Sequence, residues 1–536
     1  MYHMRTNQTQ RCFRAIFALS LWFYCLSPVS VLSGGESVAG AVEHSAAHQA
    51  SANSITQSEL KRHVDILADD SFEGRAAGSR GGHAASGYLR GQLNQIGVES
   101  MGDDGDYFQT FHNNYRNILA RIPGTDAKLK DEYILIGAHY DHVGYGTGRT
   151  SFGPTGYIHN GADDNASGTA SLLELAEALH LSDWRRSILI AFWDGEELGL
   201  LGSKHFIRNP VVPLKNIRAM INMDMVGRLR EQKLTMFGSR TLIGSRRLVS
   251  EQNEGLPLLI DFSWEIKPNS DHHPFFSHGI PYLMPHTGLH DDYHRPRDDA
   301  HKINTDGIEQ TTRLLFRVIS ILADKDEIGE FRQASRSESP RLRQQLERPL
   351  RPAPKRLGLS WNSSDNTDIG LEVRRVGYRS AAAAAGIRIG DRITEFDGVT
   401  VESDAAMRTA VFRAKRMTTA TITRPGEEEP LTIPLKLAGE PMRLGLSWRL
   451  DDAEPNAAIV TRVVPGSPAD AAGLKIMDRI YSVENENVAD REQLVASFKA
   501  SEFPVTLKIE REGNQQTITL GMEEGLQKAA LLDPIP

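Results

Sequence analysis

His139, Asp164, the adjacent pair Glu196 and Glu197, Asp224 and His294 follow one another along a chain of 536 residues. Each lies in a segment of largely small or apolar residues: GAHYDHVG, NGADDNASG, DGEELGLLGS, INMDMVG and DDYHRPRDD. A buried or half-buried carboxylate is costly to keep ionised unless a cation neutralises it, and these segments supply almost no Lys or Arg. Metal ions are the natural counter-charge, so the pattern reads as a two-metal hydrolase.

Taken singly, each segment has an ordinary structural explanation. His139 and Asp141 are two residues apart at what reads as a strand end, hence on one face of an extended chain, where an Asp can accept the second ring N–H of a metal-bound His. Asp163 or Asp164 could cap the helix that follows, or bridge two cations with two oxygens. Glu196 and Glu197 diverge as neighbours do, so one can ligate while the other reaches a bound water; an acidic helix N-terminus is the plain alternative. Asp224 sits among methionines and a valine, a poor place for an unpaired charge. Nothing local separates His294 from His290, His272 or His273. Their joint occurrence in order on one scaffold is what carries weight.

The elements that must position them are legible over residues 55–325, where strand-like apolar runs alternate with helical patterns, the signature of an α/β domain. Residues 133–138, 187–193, 217–222 and 280–284 read as central strands, and 166–181 as a helix with Asn165 or Asp164 as cap. The ligands then fall at carboxyl ends of strands or just beyond, where open α/β sheets place their sites. Residues 34–54 read as a disordered lead, and the Arg/Pro-rich stretch 326–355, lacking an apolar period, as a solvated linker. Residues 144–159 are Gly-rich and suit a rim or lid.

The last third holds an internal repeat: RLGLSW occurs twice, and Gly386 to Gly473 and Asp391 to Asp478 are each 87 residues apart. The two copies, 356–438 and 443–524, resemble PDZ domains of bacterial envelope proteases. That resemblance implies that Leu357, Gly358 and Leu359, and likewise Leu444, Gly445 and Leu446, form the loops whose N–H groups hold a peptide carboxylate. The alternative is that the glycines only permit a tight turn. The second copy has Met477 where the first has Gly390, leaving its turn geometry open.

Residues 55–325 resemble the co-catalytic dizinc aminopeptidases of clan MH, which include bacterial leucyl aminopeptidases and aminopeptidase Y. The resemblance implies a three-layer mixed-sheet α/β domain and two Zn²⁺ per chain. One ion would be held by His139 and Asp224, the other by Glu197 and His294, with Asp164 rather than Asp163 bridging both. It further implies Glu196 as general base, Asp141 as a supporting catalytic residue and Tyr293 as a hydrogen-bond donor to the oxyanion. His272, His273 and His286 are left as wall or surface residues. The expected activity is removal of N-terminal residues from peptides with a free N-terminus, the repeats recruiting or gating peptide and offering sites for protein or peptide C-termini. Other reactions of the clan, such as carboxypeptidase or dipeptidase, and a non-catalytic PDZ-led scaffold are the alternatives. A carboxypeptidase needs a cation for the terminal carboxylate, and only Arg228, Arg295 and Arg297 lie near the motifs.

A formal net charge of −8 gives no drive toward nucleic acid or anionic membrane. Residues 1–33 have secretory-signal layout, basic then apolar then small, too short for a comfortable membrane span. Both cysteines, Cys12 and Cys25, fall inside it, so the mature chain is expected to lack thiols and to be secreted or periplasmic, with no stable membrane span.

Overall fold

Strands whose every residue is buried build the centre of the first domain. The computed structural model describes residues 46–350, 355–362 and 369–521; the expected signal segment lies outside them. In chain order the first elements are α1 (Ala46–Ser54), α2 (Gln57–Leu67), α3 (Arg80–Ile96), β1 (Glu99–Ser100), β2 (Phe108–Phe111), β3 (Tyr115–Ile122) and β4 (Tyr133–His139). There follow α4 (Gly168–His180), β5 (Ser187–Trp193), α5 (Leu201–Arg208), β6 (Ile217–Asn222), β7 (Lys233–Phe237), α6 (Ser245–Gln252), β8 (Leu259–Phe262), α7 (His272–Ser277), β9 (Tyr282–His286) and α8 (Thr305–Asp324). The nine strands form one mixed sheet in the order β1-β3-β5-β4-β6-β9-β7-β8, with β2 on β3.

Alternation along the inner strands sends side chains into two apolar clusters. Ile134, Ile136 and Ala138 of β4 and Ile188, Ile190 and Phe192 of β5 join α2, α3, α4 and α8 on one face. Leu135, Leu189, Ala191 and Trp193 join Phe206 of α5 and Phe275 of α7 on the other. Strands buried on both faces read as continuous apolar runs, which is why their limits were visible in sequence. β4, β5, β6 and β9 are mutually parallel, so their carboxyl ends share one edge.

The lead expected to be disordered is helical from Ala46. Ser51 is buried with its hydroxyl 2.8 Å from that of Ser182, and His48 stacks on Trp184 at 4.6 Å. Short Ala and Ser side chains let this helix approach closely, a packing that leaves no apolar period to read.

The expected solvated linker is likewise fastened down. It contains α9 (Pro340–Leu346); Phe331 bridges Leu242, and the Arg332 guanidinium is buried against Glu338 at 2.7 Å. Arg332 and Arg343 have found carboxylate partners, which composition alone does not disclose.

The two repeats share one topology. The first has β10 (Leu359–Trp361), β11 (Leu371–Val376), α10 (Ala381–Ala384), β12 (Arg392–Phe396), β13 (Val399–Thr400), α11 (Asp404–Arg413), β14 (Met417–Thr423) and β15 (Leu431–Lys436). The second has β16 (Leu446–Arg449), β17 (Ala458–Val463), α12 (Pro468–Ala471), β18 (Arg479–Val483), β19 (Glu486–Asn487), α13 (Arg491–Ala500), β20 (Val505–Arg511) and β21 (Asn514–Leu520). Strand order is β10-β11-β12-β14-β15 in one and β16-β17-β18-β20-β21 in the other. Met477 keeps the turn of Gly390: φ is +75° against +90°, and each N–H reaches the equivalent carbonyl, Val460 and Val373.

The second repeat is docked on the α/β domain through buried charge. Arg246 forms a two-point pair with Glu510 at 2.9 and 3.1 Å and Arg240 pairs with Asp451, while Glu454, paired with Arg479 inside the repeat, lies 3.7 Å from both Arg240 and Arg246. Backbone bonds cross the same boundary: Ile260 N–H donates to Glu512 and Gly244 N–H to Ala453.

Candidate functional site

β4 ends on His139, β5 leads into Glu196 and Glu197, β6 leads into Asp224, and the loop after β9 carries His294. Two groups of ligand atoms form at this edge, each within 4.8 Å: His139, Asp164 and Asp224, and His142, Asp164, Glu197 and His294. Asp164 belongs to both. Its Oδ1 lies 3.4 Å from His139 Nε2 and its Oδ2 3.0 Å from His294 Nε2. Asp224 Oδ1 lies 3.5 Å from His139 Nε2, and Glu197 Oε2 3.2 Å from His294 Nε2.

The choice between the two neighbouring aspartates is a matter of backbone. Asp163 turns away from the cluster: its carboxylate accepts from Gly227 N–H and Ser167 Oγ and faces His290 Nε2 at 3.1 Å. Both Asp163 and Asp164 donate their N–H groups to Asp298 Oδ2, which fixes the turn that aims Asp164 inward. Asn165 then clasps the strand ends, donating to the His139 and Met223 carbonyls and accepting from Gly168 and Met225 N–H. Asn165, not Asp164, therefore serves the start of α4.

Ring orientation is fixed for both key histidines. His294 Nδ1–H donates to the Thr150 carbonyl at 2.8 Å and His139 Nδ1–H to that of Asp141 at 3.2 Å, so each presents Nε2 to the carboxylates. A carbonyl-fixed tautomer with Nε2 inward is the arrangement a metal-bound imidazole uses. The Gly-rich 144–159 segment supplies Thr150 and sets the Phe152 ring, tilted, against those of Tyr293 and His294, each at 5.7 Å. It acts as a support for His294.

Asp141 departs from expectation. Its Oδ1 is 3.8 Å from the His139 ring, whereas its close partners are the N–H groups of Glu196 (3.0 Å) and Glu197 (3.4 Å). The carboxylate thus holds the Glu-Glu turn. His142 was not singled out in sequence; its Nδ1 lies 2.8 Å from Glu197 Oε1, so Glu197 is gripped between two imidazoles. Three residues after His139 in the same segment, it was the available signal.

Electrostatics divides the acids. Burial would raise Asp164, Glu197 and Asp224, yet the facing imidazoles hold all three below the usual carboxylate value. Burial, with Glu197, Asp271 and Asp224 nearby, lifts Glu196 well above it despite His139. Burial opposes charge on His294, but Asp164 and Glu197 raise its pKa to about 11. Tyr293 is pushed up by burial and by the surrounding carboxylates, so its hydroxyl stays protonated and able to donate; its ring stacks on His294 at 4.0 Å.

Among the described residues, the ion pairs of Asp164, Glu197 and Asp224 are all with imidazoles. Buried carboxylates and inward Nε2 atoms in two groups with one acid in common form the nitrogen and oxygen donor set that zinc takes, so the residues present fit such ions. The three nearby arginines are occupied: Arg228 by Asp292 and Asp298, Arg297 by Asp292, and Arg295 by the carbonyls of Phe152 and Gly153. His272 is buried, bonded to the Lys267 carbonyl, and belongs to neither ligand group, as do His273 and His286.

The repeat loops lie in their own sheets. Leu357 and Leu444 are buried, while Gly358 and Gly445 adopt φ of +75° and +77° against Ser380 and Ser467. Leu359 pairs with Val376 and Leu446 with Val463. No strand pairing or hydrogen bond among the described residues joins either loop to the ligand groups.

Residues 117–319 match the model of peptidase family M28, and residues 355–437 and 459–511 match PDZ domain models. Leupeptin-inactivating enzyme 1 of Streptomyces exfoliatus is 28% identical over 236 residues, 42% of this chain and 48% of the relative. Aminopeptidase YwaD of Bacillus subtilis (strain 168) is 30% identical over 198 residues, 35% of this chain and 40% of the relative. The chain thus spans about half the length of the curated relatives it matches. The crystal structure of the Legionella pneumophila LapA aminopeptidase is similar at 20% identity and a TM-score of 0.45, covering 57% of this chain and 81% of that one. Residues 117–319 are thus similar to peptidase family M28, and the two segments that follow are similar to PDZ domains.

Proposed function

We propose that the protein is a two-zinc aminopeptidase that hydrolyses the N-terminal bond of peptides with a free N-terminus. The observation that carries this reading is the pair of ligand groups sharing Asp164, with Glu196 beside them and in neither. His139, Asp164 and Asp224 would hold one ion; Asp164, Glu197 and His294 the other, with His142 fixing Glu197. When bound, the ions supply Lewis-acid activation of a water and of the scissile carbonyl.

Glu196 takes the proton from that water and returns it to the leaving amine, a role open to the one carboxylate of the Glu-Glu pair that belongs to neither ligand group. Asp141 holds the Glu196 and Glu197 amides and so sets the direction of the base. The Tyr293 hydroxyl donates to the developing oxyanion. Glu196 and Asp224 receive the substrate's ammonium group. The commitment of Arg228, Arg295 and Arg297 to other partners disfavours a site for a terminal carboxylate.

Segments 1–33, 34–54, 55–325, 326–355, 356–438 and 443–524 serve as export signal, lead, peptidase domain, connecting segment and first and second PDZ domains. The signal directs the protein to the periplasm or beyond; among the described residues no helix is long and apolar enough to cross a membrane. The PDZ pair recruits or gates peptide, the docked second copy serving as a fixed platform.

The test is a panel of aminoacyl-arylamides with their N-acetylated counterparts, using wild type, Glu196→Gln and chelated protein. Turnover of free-amine substrates alone, lost on chelation and reduced roughly 10²- to 10⁴-fold in Glu196→Gln, is expected. Equal turnover of the acetylated substrates, or full activity of Glu196→Gln, would sink the reading.

A further inference from the structure

Arg75 lies outside every motif used so far, and its guanidinium is buried with no carboxylate in contact among the described residues. The residue is 1% exposed. Its donors reach four backbone carbonyls: Nε to Tyr140 at 2.9 Å, Nη1 to Leu67 and to Asn160 at 2.6 Å, and Nη2 to Gly161 at 2.9 Å. Tyr140 directly follows the ligand His139, and Gly161 precedes the bridging Asp164 by one short turn. One side chain therefore ties together the backbone ends that present the ligand shared by both groups and a ligand of one of them.

The local backbone is bent to aim it. Glu73, Gly74 and Arg75 have φ of 49°, 66° and 50°, three successive left-handed residues, two of which are not glycine. Such conformations persist only where surrounding structure compels them, and they concentrate at functional sites. A Cβ on Gly74 would come within 2.4 Å of the His159 carbonyl and 2.7 Å of that of Gly144. The bend is also stitched to the strand-end segment by backbone, since His142 N–H donates to Arg75 and Gly144 N–H to Gly74. His142 is the residue that grips Glu197.

We propose that Arg75 is a positioning residue for the metal centre: its guanidinium holds the His139–His142 and Asn160–Asp164 segments at ligating separation and supplies the remaining positive charge that their carboxylates require. This rests on the reading of the acidic cluster as a two-metal site. Two divalent ions leave one of Asp141, Asp164, Glu196, Glu197 and Asp224 without a matching charge when all are ionised, and Arg75 carries it. Burial lowers the Arg75 pKa to about 10 against the pull of Asp164 and Asp141, so the group remains charged at neutral pH. Lysine has the charge but cannot reach four carbonyls from a planar fork, so the residue type matters as well as its sign.

The test compares the full-length wild type with Arg75→Lys and Arg75→Met. Zinc affinity is read by competition with a chromophoric chelator, and the thermal midpoint of the metal-free protein is read separately. Loss of a group that orients ligands typically weakens metal binding by about 10–100-fold. That loss is expected for Arg75→Met in protein that is still folded, with a smaller one for Arg75→Lys. Unchanged zinc affinity in either folded variant, with only the metal-free midpoint lowered, would overturn the proposal and leave Arg75 as an ordinary core residue. Should Arg75→Met not fold, Arg75→Lys carries the decision: wild-type affinity refutes the positioning role. If wild type itself binds no zinc, the two-metal reading fails, an outcome distinct from a wild type and variants that bind equally.

Discussion

Replacing Arg246 with Met should release the second PDZ domain from the peptidase domain while leaving both folded. The Arg246 side chain is 9% exposed and that of Glu510 is fully buried, with the two-point contact at 2.9 and 3.1 Å and Glu454 at 3.7 Å. At an effective dielectric near 20, opposite charges about 3 Å apart attract by roughly 5–6 kcal/mol, of which desolvation of the pair cancels part. Removing Arg246 leaves the buried Glu510 with the Gly513 N–H at 2.7 Å and Arg479 only at 4.0 Å, and losses of this kind run to about 3–5 kcal/mol. That corresponds to about 10²- to 10⁴-fold more frequent opening of the boundary. Native-state hydrogen exchange at the Ile260 and Gly244 amides, whose bonds to Glu512 and Ala453 cross the boundary, reads it directly. The double variant Arg246→Met/Glu510→Gln should recover much of the protection, because Glu454 keeps its own two-point pair with Arg479 at 2.9 and 3.2 Å. Exchange at Ile260 within a few-fold of wild type in the single variant would refute the argument that this pair holds the dock.

The same boundary should be acid-sensitive. Despite burial, Arg479 and Arg246 depress Glu454 from 4.5 to about 2, so the stability it lends is complete above about pH 4.5 and is lost as pH falls through about 2. Ile260 exchange should accelerate across that window, and Glu454→Gln should flatten the profile. Asn165→Ala removes bonds to the His139 and Met223 carbonyls and to the Gly168 and Met225 amides, all buried. It should cost about 1–3 kcal/mol in urea unfolding of the metal-free protein, with weaker zinc binding. Gly445→Ala places a Cβ 2.1 Å from that of Ser467 at φ +77°, so the second PDZ domain should be destabilised by more than the 1–2 kcal/mol typical of a left-handed residue, measurable by its own urea midpoint. Chelation should lower the thermal midpoint of wild type, and readdition of zinc should restore it in proportion to RT ln(1 + [Zn]/Kd).

The inner strands were legible because burial on both faces demands apolar residues at every position. Residues 187–193 and 217–222 were delimited to the residue, and 133–138 missed only His139. The duplicated C-terminal unit was legible from its spacing of 87 residues. Met477 shows the limit of that approach, since its residue type argued against a left-handed turn that the strand pairing of β17 and β18 imposes. The segment 326–355 shows another: without an apolar period it read as solvated, yet Arg332 is buried because Glu338 and Asp452 meet it.

The chain's own residue types determined that acids and imidazoles would gather at strand ends needing cationic charge. They did not determine which of Asp163 and Asp164 faces inward; that was decided by Asp298, which lies more than a hundred residues away and binds both amides. Nor did they mark His142 or Arg75. Patterns of side-chain type record local burial and periodicity, whereas a hydrogen bond to a backbone carbonyl can be accepted by almost any residue. The Tyr140, Leu67, Asn160 and Gly161 carbonyls that receive Arg75 leave no mark in the residue types and converge only when the chain is folded.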